Sequence, residues 1–289
     1  MAPPLTAAKD LLARLVAFDT TSHKTNIPLI EFVEAYLGQH GVPSVRVPTE
    51  DGLKASLFAT IGPAGMGGIA LSGHTDVVPV TGQRWDTDPF ALVERDGRLY
   101  GRGACDMKGF LACVLAMVPA FNARGLRVPV HIAFSYDEEV GCTGVRPMVA
   151  ELGKSLPLPR FVLVGEPTEM AVVDAHKGPM RWSVEVTGKA AHSSMPHLGV
   201  NAITYAGRLL AELDRIESEL KALPPNPRFD PPYNTLQVTE LEGGTASNIV
   251  PAACQLGWEM RCLPGFDALA VDRRVRRFAQ ECTTQMQGE

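Results

Sequence analysis

The sequence has no CxxC pair, no apolar run of membrane-spanning length, no internal repeat, no low-complexity tract and no excess of positive charge. Each absence removes a class of protein. The six cysteines, at 105, 113, 142, 254, 262 and 282, are scattered. That argues against a paired-thiolate zinc site and leaves free thiols in a reducing compartment, the cytoplasm, as the expectation. No stretch approaches the ~20 apolar residues that cross a bilayer, and the first residues lack the pattern of a secretory signal. A net charge of −5 gives no general attraction to nucleic acid. The one Arg-rich stretch, "DRRVRRFAQ", carries Val271, Val275 and Phe278 at helical spacing, so its arginines are expected on a solvated helix face. What remains is an ordinary soluble composition, 45% hydrophobic and 20% charged over 289 residues, enough for one large domain or two moderate ones.

The two parts of the chain differ in pattern. "TAAKDLLARLVAF" and "IPLIEFVEAYLGQHG" read as amphipathic helices. "SVRV", "KASLFATIG" and "GIALSGH" read as strands, and "FALVERDGRLYG" as a hairpin turning at Asp96–Gly97. "MKGFLACVLAMVPAFNARG" is a helix apolar almost all round. "VPVHIAFS" and "RFVLVGE" are short continuous apolar runs, as in a sheet covered on both faces. This alternation predicts an α/β layered catalytic domain with a mostly parallel sheet over 1–177. From 178 to 289 the strands alternate, as in "MRWSVEVTG", around the amphipathic helix "NAITYAGRLLAEL" and a final helix "DALAVDRRVRRFAQEC". The order β-α-β-β-α predicts an inserted α+β domain of the split βαβ kind that lacks its closing strand.

Chemistry gathers where the apolar strands of the first domain end. His74 and Asp76 follow "GIALSG", Asp106 follows "LYGRGAC", Glu138 and Glu139 follow "VHIAFSYD", and Glu166 follows "RFVLVG". Ligands in open α/β sheets bind beyond the carboxyl ends of strands. One imidazole with several carboxylates is a donor set for zinc, cobalt or manganese, and a carboxylate can bridge two such ions. Singly, each residue has a plainer reading: a hydrogen-bonded turn histidine, a solvated acidic loop, a helix cap at Asp106. Their concentration at strand ends favours the metal reading. No Ser–His–Asp pattern competes with it. His23, His40, His131, His176 and His197 are expected to be structural or on the surface.

"SGHTDVVPV", "GRGACDMKG", "SYDEEVGCTG" and "VGEPT" resemble the metal-binding motifs of the M20 metallopeptidase and amidohydrolase family. "AHKGPMRWSVEVTGKAAHSSMPHLGVNAI", "GGTASNIVP" and "MRCLPG" resemble most its members that deacetylate N2-acetylornithine in arginine biosynthesis. The resemblance implies that His74 and Glu166 bind one metal, that Asp106 bridges to a second bound by Glu139, and that Zn2+ or Co2+ fills these sites. It implies that Asp76 orients His74, that Glu138 is the general base, and that the Asp106–Met107 peptide is cis. It further implies that His192 helps to hold the oxyanion, that Asn248 and Arg261 meet polar groups of a small N-acyl amino acid, and that the second domain forms a lid and a homodimer contact.

Members of the family continue past the second domain, return to the first and supply a further histidine to the second metal. The sequence at hand stops at Glu289, so a C-terminally truncated enzyme is expected, whose second metal keeps only Asp106 and Glu139. The rival readings are a related deacylase or carboxypeptidase, such as a succinyl-diaminopimelate desuccinylase, and an inactive binding or dimerisation module.

Overall fold

A computed structural model describes residues 5–63 and 67–288. The chain divides into two units, Met1–Ala171 and Val172–Glu289.

The first unit opens with helices α1 (Leu5–Val16) and α2 (Ile27–Gln39). Strands β1 (Ser44–Pro48), β2 (Ala55–Ile61) and β3 (Ile69–His74) follow, then the hairpin β4 (Val93–Arg95) and β5 (Arg98–Tyr100). Helix α3 (Lys108–Ala123), strand β6 (Val130–Ser135), helix α4 (Val145–Glu151) and strand β7 (Phe161–Val164) complete it. The hairpin turns where the sequence placed it, with Asp96 and Gly97 both at positive φ.

The main sheet runs β1-β2-β6-β3-β7. It is α/β, as the apolar runs indicated, but mixed rather than mostly parallel. β6, β3 and β7 pair parallel, whereas β1 and β2 join antiparallel. For β1 and β2 the short connection over 49–54 favours antiparallel pairing, and β2 joins β6 antiparallel as well. Strand alternation sorts the core. Leu57, Ala59, Ile132 and Phe134 face α1, α2 and α3, while Phe58 and Ala133 face Met148 of α4 on the other side. Helix α1 buries Leu11, Leu12, Leu15 and Val16, spaced for one helix face. β7 departs from expectation. It is a sheet edge whose four residues are all exposed among the described residues, although its apolar run suggested cover on both faces.

The second unit contains β8 (Gly178–Thr187), β9 (Ala191–His192), α5 (Ala202–Lys221), β10 (Thr235–Gly243), β11 (Ile249–Val250), β12 (Ala253–Cys262) and α6 (Ala268–Gly288). β12 lies between β10 and β8, antiparallel to both. Leu209, Leu213, Ile216 and Leu220 of α5 and Val271 and Val275 of α6 pack on this sheet around Trp258. Asn201 caps α5 by accepting the Thr204 N–H. Arg274 is not purely solvated, as the sequence suggested. It donates to Glu212 at 2.8 Å and to Glu219, tying α6 to α5.

Trp258 is 1% exposed and stacks on Trp182 with ring centroids 4.1 Å apart. Trp258→Ala is expected to cost about 3–5 kcal/mol, the range for truncating a buried aromatic. Urea unfolding followed by far-UV circular dichroism measures it, and a loss below about 1 kcal/mol would deny the stack its place at the centre of this unit.

Candidate metal centre

Three parallel strands deliver their carboxyl ends to one place. In register His74 lies opposite Ser135, and Ser72 opposite Val164. His74 ends β3, Glu138 and Glu139 follow β6, and Glu166 follows β7. Asp106 arrives on the turn before α3, through a cis Asp106–Met107 peptide. Two glycines allow α3 to come close enough. A side chain on Gly73 would meet Leu111 at 2.7 Å and Met107 at 2.8 Å, and one on Gly165 would lie 2.1 Å from the Phe110 ring.

These placements gather the five metal and base residues read from the sequence. His74 Nε2 stands 3.0 Å from Asp106 Oδ1, 3.8 Å from Glu166 Oε1 and 3.9 Å from Glu138 Oε2. Ligand atoms of His74, Asp106 and Glu139 all fall within 4.8 Å of one another, and so do those of His74, Glu138 and Glu166. The imidazole is buried, while the Asp106, Glu138 and Glu166 side chains remain 38–49% exposed. The cluster is therefore walled at its base and open toward solvent.

His74 is held in one tautomer. Its Nδ1 lies 2.9 Å from the Asp76 carbonyl oxygen, which can only accept, so Nδ1 carries a proton. Nε2 is thereby the atom left to face the carboxylates. The Asp76 carboxylate stands off at 3.4 Å from Nδ1. Its closer partners are Ser22 Oγ, which donates at 2.8 Å, and the N–H groups of Glu138 and Glu139, at 3.1 and 3.2 Å. Asp76 thus orients His74 mainly through its backbone and holds the Glu138–Glu139 loop with its side chain. The resemblance implies that the Asp76 carboxylate orients His74, and nothing in the local pattern announces its hold on the Glu138–Glu139 loop.

The electrostatics follow from this crowding. Burial works against charge on His74, but the neighbouring Asp76, Glu138 and Asp106 outweigh it and raise its pKa to about 9. Burial likewise opposes the Asp76 charge, yet His74, Ser22 and the Glu138 N–H hold its carboxyl below the usual range. Burial and then repulsion from Asp106 and Glu138 push Glu139 upward. Glu166 is pushed up by burial and by the same two acids, against the pull of His74. One imidazole nitrogen ringed by mutually repelling carboxylates is a donor set that a divalent cation fits, in both ligand type and charge.

Three residues escaped sequence reasoning. Ser22 and Lys54 reach the site from more than 50 residues away, with no local pattern to announce them. Lys108 opens the apolar helix α3 fully buried and donates to the Phe18 carbonyl at 2.7 Å. Burial lowers its pKa to about 7, although Asp19 and Asp76 pull the other way. A lysine inside an otherwise apolar run was the available signal.

His192, Asn248 and Arg261 belong to the second unit. His192 pairs with Ile249 across the β9–β11 ribbon, and Ser193 N–H donates to the Asn248 carbonyl at 2.9 Å, so the first two are neighbours. His192 Nδ1 is engaged with Ser194 Oγ at 2.7 Å. Arg261 is not beside them. It sits near the far end of β12, roughly 26 Å along an extended strand from Ala253, with its Nε on Glu259 at 3.2 Å. Of the histidines left out of the site, His131 is buried and bonded to Thr60, and His40 packs on Tyr36.

Residues 70–288 match the family described as Peptidase family M20/M25/M40. An acetylornithine deacetylase of Myxococcus xanthus is 40% identical over 97% of this chain and 73% of its own length. One of Proteus mirabilis is 36% identical over 89% and 65%. The chain thus spans about two thirds to three quarters of these relatives. Among solved structures, an M20 metallo-carboxypeptidase from Sulfolobus solfataricus superposes with a TM-score of 0.75 at 18% identity, covering 96% of this chain and 76% of that one. A dinuclear metal-binding M20 peptidase from Bacillus subtilis gives 0.65 at 17%, covering 97% and 70%. The chain therefore belongs to peptidase family M20/M25/M40, a family of metal-dependent hydrolases.

Proposed function

We propose that this chain hydrolyses the amide of an N-acyl amino acid, converting N2-acetylornithine to ornithine and acetate, with Zn2+ or Co2+ held by His74, Asp106, Glu139 and Glu166. The observation that carries the reading is the convergence of one tautomer-fixed imidazole with three carboxylates from the ends of three parallel strands and a fourth, Asp106, from the turn before α3. The substrate rests on the relatives, which carry the name acetylornithine deacetylase at 36–40% identity. Both sets of candidate ligands share His74, and a single Nε2 serves one cation. By resemblance His74 and Glu166 would hold one cation and Asp106 would bridge it to a second held with Glu139, which the described residues furnish with fewer donors.

When bound, the cation polarises the acyl carbonyl and eases the ionisation of water. Glu138 then acts as the base. Its backbone is fixed to Asp76, and its carboxylate lies 3.9 Å from His74 Nε2, level with that of Glu166 at 3.8 Å, so its role as base rather than ligand rests on the resemblance. It accepts a proton from the attacking water as the new C–O bond forms. It returns that proton to the amine nitrogen as the C–N bond breaks, leaving acetate and a free amine. By resemblance, His192 is assigned to the acyl oxygen, and Asn248 and Arg261 to the polar groups of the substrate, where a guanidinium suits a carboxylate. The same resemblance supports a homodimer through the second unit. Six free cysteines support a reducing, cytoplasmic setting. Among the described residues no helix is long and apolar enough to cross a membrane.

An assay of N2-acetylornithine against N-succinyl-diaminopimelate and dipeptides, with Zn2+ or Co2+ added, tests the substrate. Preference for a dipeptide would overturn the deacetylase reading. Glu138→Gln is expected to keep cation binding, measured by calorimetry, while turnover falls at least about 100-fold. An undiminished rate would remove Glu138 from the proton transfer.

A pH dependence follows from His74. Its folded pKa is raised above the unfolded value of 6.5 to about 9. In the cation-free protein its contribution, up to about 3 kcal/mol, is fully present below about pH 6.5 and is lost as pH rises through about 9. The raised carboxyls of Glu139 and Glu166 act with the same sign from a lower starting pH. Lys108 opposes this: with its folded pKa lowered to about 7, it adds stability as pH rises above that value. The His74 contribution is therefore read as a difference: between about pH 6.5 and 9 the urea midpoint of the cation-free parent should fall relative to that of His74→Asn. A difference between parent and variant that stays constant across that window would contradict the electrostatics of the cluster.

A further inference from the structure

The loop that carries Glu138 and Glu139 has a second attachment besides Asp76. Lys54 Nζ donates to Asp137 Oδ1 at 2.5 Å and also to the Ser22 carbonyl. Ser22 in turn donates its hydroxyl to Asp76 Oδ2, and Asp76 accepts the N–H groups of Glu138 and Glu139. The contacts close a ring through four separate stretches of chain: Ser22, Lys54, Asp76 and Asp137–Glu139. Lys54 is well placed as the fixed point. It directly precedes β2, which lies inside the sheet between β1 and β6. Its backbone is locked to Thr49, Lys54 N–H donating to Thr49 Oγ1 at 3.1 Å and Thr49 N–H to the Lys54 carbonyl at 2.8 Å.

We propose that Lys54 is a positioning residue: by joining Asp137 to Ser22 it closes this ring and sets where the Glu138 and Glu139 carboxylates stand relative to His74. The proposal rests on the metal-centre reading for its consequence, but not for its geometry. Without the ring, two long N–H bonds to one carboxylate would be the loop's hold on the strand β3 side. Asp137 sits at φ +53°, a left-handed backbone state that is uncommon outside glycine and that Asp adopts more readily than most residues. The Lys54 and Asp137 side chains are each only 17% exposed, so their pair is shielded from most of the screening that weakens surface ion pairs. The general rule is that groups which orient metal ligands matter nearly as much as the ligands themselves. Here the oriented element is a whole loop, and it brings both the proposed base and a proposed ligand.

The test uses the full chain with two readouts. In the cation-free protein, amide hydrogen exchange of residues 138–139 should accelerate at least about tenfold in Lys54→Met and in Asp137→Asn, while β2 and β6 keep their protection. The double variant should be no faster than either single one, since both break the same ring. Lys54→Arg should restore slow exchange. In the presence of Co2+, the same variants should raise the dissociation constant by about 10- to 100-fold and alter the visible cobalt spectrum. Unchanged exchange at 138–139 would overturn the proposal. So would a loss of protection that spreads equally through β2 and β6 in both variants, because that marks a general structural role. If the parent binds no Co2+, the metal-centre reading fails, and the exchange data still decide the clamp on their own.

Discussion

The first unit depends on a single buried carboxylate. Asp76 is 2% exposed and holds its charge because three donors and an imidazole surround it. An unpaired carboxylate at that depth would be strongly destabilising, so the donors are obligatory rather than ornamental. Satisfying them brings the end of β3, the loop after β6 and the segment around Ser22 to one point. The same segment is laced to the strand end by backbone bonds, with Val77 N–H donating to the Thr20 carbonyl and Ser22 N–H to the Val77 carbonyl. The hub that neutralises Asp76 is thus also the device that aims His74, Glu138 and Glu139 at a common volume.

The mixed sheet divides the labour. Its parallel half, β6-β3-β7, points three carboxyl ends the same way and supplies the reactive groups. Its antiparallel half, β1 and β2, offers none of the converging ligands. What it provides is a stiff support from which Lys54 reaches across. Helix α3 completes the arrangement from one face, and the glycines at 73 and 165 are where it comes closest to the strand ends. A side chain at either position would push α3, and with it Asp106, away from the imidazole.

Much of this was legible beforehand, for identifiable reasons. An apolar run interrupted by His or Asp is a conspicuous pattern, so His74, Asp106, Glu138, Glu139 and Glu166 could be picked out one strand end at a time. Helices α1, α2, α5 and α6 were visible through their spacing, and α3 through its long, almost wholly apolar run. Strand direction was not, because a period of two reads the same whether the neighbour runs up or down. That is why the antiparallel joining of β1 and β2 went unseen. Helix α4 is a single short stretch of seven residues and gave no sustained period. Exposure of β7 was hidden because an apolar run describes what a strand could bury, not what lies beside it. Ser22 and Lys54 were out of reach for another reason: their roles are defined by partners 54 and 83 residues away.

The gathered acids come at a cost that explains the rest of the design. Asp106, Glu138, Glu139 and Glu166 crowd one imidazole, and their mutual repulsion with partial burial pushes Glu139 and Glu166 toward holding protons. Without a cation the cluster can lower that strain by holding protons on its carboxyls, by keeping His74 charged or by spreading apart. The hydrogen bonds around Asp76 and the Lys54–Asp137 pair resist spreading from below, while the open side leaves room for an ion. A divalent cation entering there would remove the repulsion that the backbone holds in place, so its binding energy and the stability of the first unit are linked quantities. A binding site pre-assembled against its own electrostatics loses little to reorganisation when the ion arrives, which is the condition under which weakly held surface acids become a selective metal centre.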